Sequence, residues 1–169
     1  DIKIHNKSTI KGIGDDAAVI DHKSEQTLVS VDVLIEGVHF DMTYMPLKHL
    51  GYKAAVVNFS DIYAMNGTPT QIVVGMGISS KFSVEAVEEI FSGIKLACDN
   101  YKVDLVGGDT TASKSGLFIS ITVIGKAKKD DIVYRDGAKA NDLLCVSGTL
   151  GAAYTGLLIL EREKAAFMA

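Results

Sequence analysis

Tryptophan is absent from the 169 residues, and cysteine and proline occur only twice each. Cys98 and Cys145 are too few and too far apart for a disulfide framework or a paired-cysteine metal knuckle. Their apolar surroundings read instead as core positions. No apolar run approaches the roughly 20 residues of a membrane span, and the start carries no secretory pattern. A net charge of −4 with no basic cluster argues against a nucleic-acid surface. The familiar nucleotide signatures are missing too. There is no GxxxxGK[ST] loop, GMGISS lacks the third glycine of a dinucleotide fingerprint, and no GxSxG elbow occurs. These absences leave a cytoplasmic protein with no membrane and no nucleic-acid partner. An anionic ligand would then need local help, from a metal ion or from backbone amides.

What is present is an ordinary globular balance, 47% hydrophobic and 22% charged, with no repeat and no linker. The two prolines, Pro46 and Pro69, bracket the first helix, with Pro46 at the first helical position and Asn66-Gly67 as the stop. Within it Leu50, Ala54, Val57 and Met65 recur at helical spacing, and Asn58 and Asp61 share a face. Ser83 caps a second helix, whose stripe of Val87, Ile90, Phe91, Ile94, Ala97 and Tyr101 is a core stripe. Strands are predicted over Thr27 to Leu34, Gln71 to Ile78 and Leu117 to Gly125, with shorter ones over Val103 to Asp109 and Asp142 to Gly148. Their order, with hairpin-like neighbours late in the chain, predicts an α+β fold: a mixed or antiparallel β-sheet covered by helices. Residues 1–147 form its domain. From Gly148 a glycine turn feeds a helix whose Leu157, Leu158 and Leu160 have little to pack against. Residues 148–169 are therefore expected to begin a second domain.

The candidate chemistry is acidic. Asp15 and Asp16 sit together in GIGDDAAVI with no lysine or arginine beside them, although adjacent carboxylates repel and resist burial. In the first long strand Val29, Val31 and Val33 point one way, Ser30 and Asp32 the other. Such a strand has a polar task or a solvent face. Asp61 lies in NFSDIYA, and Asp109 follows two glycines in VGGDTT, where the backbone is free to approach a ligand. An oxygen-rich set without paired histidines suits Mg²⁺ rather than zinc. Each acid alone is equally a turn or surface residue. His39 is the only histidine beside a candidate site; His5, His22 and His49 read as surface residues.

Read in order, GIGDDAAV, SVDVLIEGVHF, KAAVVNFSDIYAMNGTP, VGGDT and YRDGAKANDLLCVSGTLG resemble the N-terminal half of the thiamine-monophosphate kinase family. The likeness runs from about Gly12 to Leu160. It implies the N-terminal ATP-binding and dimerisation domain of the aminoimidazole-ribonucleotide synthetase-like fold. It also implies γ-phosphate transfer from ATP to thiamine monophosphate, with Mg²⁺ as cofactor and a homodimer formed through the sheet. Carried over by motif, Asp16, Ser30, Asp32, Asp61 and Asp109 would hold metal, and Asp61 and Asp109 would be catalytic. Tyr101, Gly108, Asp109 and Arg135 would lie at ATP, and His39 at thiamine monophosphate. Asp15 becomes a turn acid, and Val31, where some relatives carry threonine, could offer only its main-chain carbonyl. The family's later acidic motifs of the DISDG and GGEDY kind do not occur, so the 169 residues alone are expected to be inactive. The rival readings are another ATP-dependent member of the superfamily and a catalytically silent nucleotide-binding or dimerisation module.

Overall fold

The computed structural model describes residues 3–11, 19–20, 22–134 and 136–168. Asp15, Asp16 and Arg135 lie outside the described residues. The chain divides into two units, 1–134 and 135–169.

The first unit is built on a four-stranded sheet in the order β3-β6-β4-β5, formed by Gln26–Ile35 (β3), Thr68–Ile78 (β4), Asp104–Ala112 (β5) and Phe118–Ala127 (β6). Two short strands, Thr9–Lys11 (β1) and Val19–Ile20 (β2), pair beside it. Strand β6 runs antiparallel to both β3 and β4, while β4 and β5 are parallel. The sheet is therefore mixed, and the α+β expectation holds. The hairpin expected late in the chain does not form, because β6 enters between β3 and β4 rather than beside β5. That insertion gives β6 a neighbour on both sides, satisfying both of its hydrogen-bonding edges.

Helix α1, Leu47–Ala64, joins β3 to β4, and helix α2, Val84–Tyr101, joins β4 to β5. Ser83 caps α2 as expected, its hydroxyl accepting from the Ala86 amide at 3.3 Å. Pro46 stands one place earlier than expected. Its ψ of 136° is extended, so it flanks α1 while its carbonyl takes the Leu50 amide at 2.9 Å. After Ala64 the chain turns at Asn66, in the left-handed region at φ 57°, and the Gly67 amide bonds back to the Ile62 carbonyl. Glycine lets the two helices touch. A Cβ on Gly51 would lie 2.0 Å from the Ile90 carbonyl oxygen, and one on Gly93 would lie 1.9 Å from that of Lys48.

The core lies between these helices and one face of the sheet, joining Leu50, Phe59, Ile90 and Ile94 to Ile72, Val74, Ile119 and Ile121. Each such side chain contributes about 1.5–3 kcal/mol by leaving water. Cys98 belongs to this core, and burial, then the charges of Asp99 and Asp104, pushes its thiol up to about 12. His5 is not a surface residue. Its side chain is 7% exposed and its ring meets Asp99 at 3.2 Å. The neighbouring buried carboxylate of Asp104 accepts from the amides of His5 and Asn6 and from the Thr9 hydroxyl, fastening the first residues to β5.

The second unit holds one helix, α3 (Ala152–Met168), in which no residue is buried. The strand expected over Asp142 to Gly148 is not there. A strand needs a neighbour to complete its ladder, and Leu143 and Leu144 are 90% and 96% exposed. For the same reason Cys145 is exposed, against the expectation that both cysteines are core. Among the described residues no helix is long and apolar enough to cross a membrane.

Candidate functional site

The Ser/Asp face of β3 does not look at solvent. It is turned toward α1, where the Ser30 hydroxyl donates to Asp61 Oδ2 at 2.6 Å. One turn earlier on the helix, the fully buried Asn58 takes the Asp32 amide on its side-chain oxygen at 3.0 Å. The Asn58 amide in turn donates to the Ala54 carbonyl at 2.9 Å. An amide on the edge strand β3 is thereby satisfied by a helix side chain instead of by another strand. The i, i+3 spacing of Asn58 and Asp61 is what lets one helix face reach both Asp32 and Ser30. Ser30 and Asp61 thus meet side chain to side chain, and the backbone of Asp32, two residues on along the same strand, is held to the same helix; these are oxygen donors of the kind a hard cation prefers.

Asp109 does not join them. It pairs with Gly75 on β4, and the preceding Gly107 lies against the Val73 side chain on the face away from the helices. Strand alternation puts the Asp109 side chain on that same open face, on the sheet's other edge strand, with β6 and β4 between it and β3. Among the described residues no three carboxylate, histidine or cysteine side chains cluster as a metal-binding group. Gly108, read from sequence as leaving room for a ligand, has a structural duty as well. A Cβ there would lie 2.2 Å from the Val74 carbonyl oxygen, just past the bulge where the β4–β5 register shifts.

Tyr101 ends α2 with its ring 5.5 Å from that of Phe59 and 6.3 Å from that of Tyr63. A hydrogen bond with Tyr52, then that residue's charge, raises its phenol above the ordinary value. Tyr101 is therefore tied to α1 rather than projecting as a free stacking platform. His39 holds its own turn. Its Nδ1 accepts the Ile35 amide at 3.0 Å, and its carbonyl accepts from Lys53 at 2.9 Å. The Nδ1 acceptor role leaves Nε2 as the ring's outward donor.

The valine side of β3 carries the other surprise. Val29 and Val31 are 64% and 56% exposed, and Val33 and Ile35 are also open. They continue a face carrying Phe118, Ser120, Thr122 and Ile124 of β6 and Val73 of β4, over which the first unit lays no helix. Alternation alone offers the Ser/Asp side of β3 either a polar task or a solvent face. Tertiary packing gives the polar residues to α1 and leaves the valines outside.

Residues 14–127 match the family described as AIR synthase related protein, N-terminal domain. The chain belongs to that family. It is 38% identical to the thiamine-monophosphate kinase of Bacillus subtilis (strain 168) over 161 residues, covering 95% of this chain and 50% of that protein. Its fold superposes on the thiamine-monophosphate kinase of Stenotrophomonas maltophilia K279a with a TM-score of 0.84 at 32% identity, covering 93% of this chain and 49% of the other. A solved complex of AaThiL with AMPPCP and TMP gives 0.78 at 38% identity, covering 90% and 48%. The AIR synthase related chain spans about half the length of these relatives.

Proposed function

We propose that the protein to which these residues belong is an ATP-dependent thiamine-monophosphate kinase, transferring the γ-phosphate of ATP to thiamine monophosphate to give thiamine diphosphate. The observation that carries this reading is the Ser30–Asp61 and Asp32–Asn58 junction, formed from two of the motifs on which the resemblance to that family rests. The relative complexed with AMPPCP and TMP, an ATP analogue and the phosphorylated vitamin on this reading, supports the choice of substrates.

Transfer between two phosphate groups needs positioning and charge neutralisation more than a strong base, because the attacking oxygen is already anionic. Ser30, Asp32 and Asp61 fit Mg²⁺ by donor chemistry, Asp16 is the further proposed ligand, and Asp109, across the sheet from them, would hold metal at a separate position. When bound, Mg²⁺ would supply the positive charge that offsets the phosphoryl oxygens. The protein's part is to hold the acids ready: the Ser30 hydroxyl orients the Asp61 carboxylate, and Asn58 pins the backbone that carries Asp32. His39, with Nδ1 occupied by Ile35, offers Nε2–H to the thiamine phosphate. Tyr101, Gly108, Asp109 and Arg135 serve ATP, with the Arg135 guanidinium as a planar fork for phosphate oxygens. The open face of β3 and β6 is where a second copy would pair its sheet, which accounts for a row of exposed valines on a water-facing edge strand.

The test is thiamine diphosphate formation by the full-length protein. Asp61→Asn should lower the turnover number by about 100-fold or more, in line with the loss of one transition-state charge contact, while the melting temperature stays near that of the parent. Undiminished activity in that variant would refute the assignment. Absence of turnover in the parent protein, with ATP binding retained, would favour the silent-module reading.

A further inference from the structure

At one end of the sheet, three turns line an open cavity of about 570 Å³ that takes no residue from the junction described above. Glu36 and Gly37 come from the end of β3, Ser79, Ser80 and Lys81 from the turn between β4 and α2, and Ser113 to Gly116 from the turn between β5 and β6. The volume is large enough for a phosphate ion or a small phosphorylated metabolite.

Ser79 is the informative residue. It is only 9% exposed, and its hydroxyl has no hydrogen-bond partner. Its surroundings are otherwise well satisfied. The Ser79 carbonyl accepts from the Phe82 amide at 3.1 Å, and the adjoining Ile78 carbonyl accepts from the Ser113 amide at 2.7 Å. The backbone is thus locked while the hydroxyl, itself buried in the cavity wall, keeps an unmet bonding capacity. Leaving such a group unpaired is costly, and a ligand oxygen would recover that cost.

The remaining lining sets the sign of the ligand. Ser80, Ser113 and Ser115 add hydroxyl donors, and Lys81 and Lys114 add two cations. Among the described residues neither lysine has an ion-pair partner. The one acid, Glu36, is already engaged, with Oε2 accepting the Leu117 amide at 2.7 Å. Gly116, at φ 89°, passes so close that a Cβ would lie 2.6 Å from that same oxygen. The turn is therefore shaped around a committed carboxylate, which leaves the lysines in excess.

The geometry points to a second anion site in this cavity, one that binds a phosphate group through the Ser79 hydroxyl, Lys81 and Lys114, separate from the acidic junction of Ser30, Asp32 and Asp61. The phosphate is either free or the head of a small phosphomonoester, and the two share the same recognition chemistry.

Two-dimensional amide NMR on the 169-residue chain, titrated at constant ionic strength with inorganic phosphate and separately with glycerol 3-phosphate, tests the site. Saturable shifts are expected at residues 79–81 and 113–116 with both probes. Tighter binding of the ester identifies a phosphomonoester as the ligand, and equal binding identifies free phosphate. Ser79→Ala, which removes the unpaired hydroxyl without disturbing the backbone bonds, should weaken binding about tenfold and leave the melting temperature unchanged or higher. Lys114→Gln should weaken it comparably. Shifts that are absent, that do not saturate, or that are the same in the parent, Ser79→Ala and Lys114→Gln proteins would overturn the proposal.

Discussion

Asn58, like Asp61, links helix α1 directly to strand β3. It is fully buried, it satisfies the edge-strand amide of Asp32, and it anchors to Ala54 within its own helix. Buried amides without partners are costly, so Asn58→Ala should destabilise the folded chain by about 1–3 kcal/mol. In the full-length protein the same change should also lower the turnover number by releasing the strand that carries Asp32, a loss that Asn58→Asp, which keeps an acceptor oxygen, should partly restore. Urea unfolding followed by circular dichroism reads the first effect, and steady-state kinetics the second. A variant with parental stability would show that Asp32 is held by the ladder to β6 alone. The sequence placed Asn58 and Asp61 on one face by their spacing. It could not say what that face meets, because Asp32 is 26 residues from Asn58 along the chain.

Among the elements, the crossing of α1 and α2 shows two propensities in conflict. Alanine is about 1 kcal/mol better than glycine inside a helix, so Gly93→Ala would stabilise an isolated α2. Within the fold its Cβ would sit 1.9 Å from the Lys48 carbonyl oxygen and 2.8 Å from the Tyr52 amide nitrogen. Backbone cannot yield as a side-chain tip can, and overpacking of this kind costs about 1–3 kcal/mol or more. The clash wins, and the melting temperature of Gly93→Ala should fall by about 3–6 °C. Gly156 in α3 has no atom within 4 Å of the corresponding position, so Gly156→Ala should instead raise helix content in circular dichroism. Local signals served well where local chemistry decides: Ser83 caps α2, and Asn66-Gly67 ends α1. They failed at Asp142 to Gly148, whose β-prone residues have no recorded strand to pair with.

For the molecule as a whole, the open valine face is the feature a single copy leaves without cover. A row of exposed Val29, Val31, Val33 and Ile35 on an edge strand invites association. Val31→Lys, placing a charge in the middle of that row, should turn the proposed dimer into a monomer in light scattering at micromolar concentration. The core of the first unit would be untouched, since Val31 faces away from α1. A parent chain that is already monomeric, or a Val31→Lys chain that stays dimeric, would contradict pairing through this face.

Periodicity, capping residues and turn chemistry were enough to place all three α-helices and four of the five predicted strands, because those signals act within a few residues of themselves. Motif order was enough to name a family, and the match over residues 14–127 upholds the family relation. Alternation along β3 separated its valines from Ser30 and Asp32, but only the tertiary structure decided which set meets the helix. The same holds for the acids. Ser30 meets Asp61, and the Asp32 backbone meets Asn58, because α1 packs back over β3, and Asp109 stands apart because β6 and β4 lie between the edge strands. These outcomes depend on where β6 inserts, a pairing between residues some ninety positions apart, and no local pattern in the chain encodes a contact at that separation.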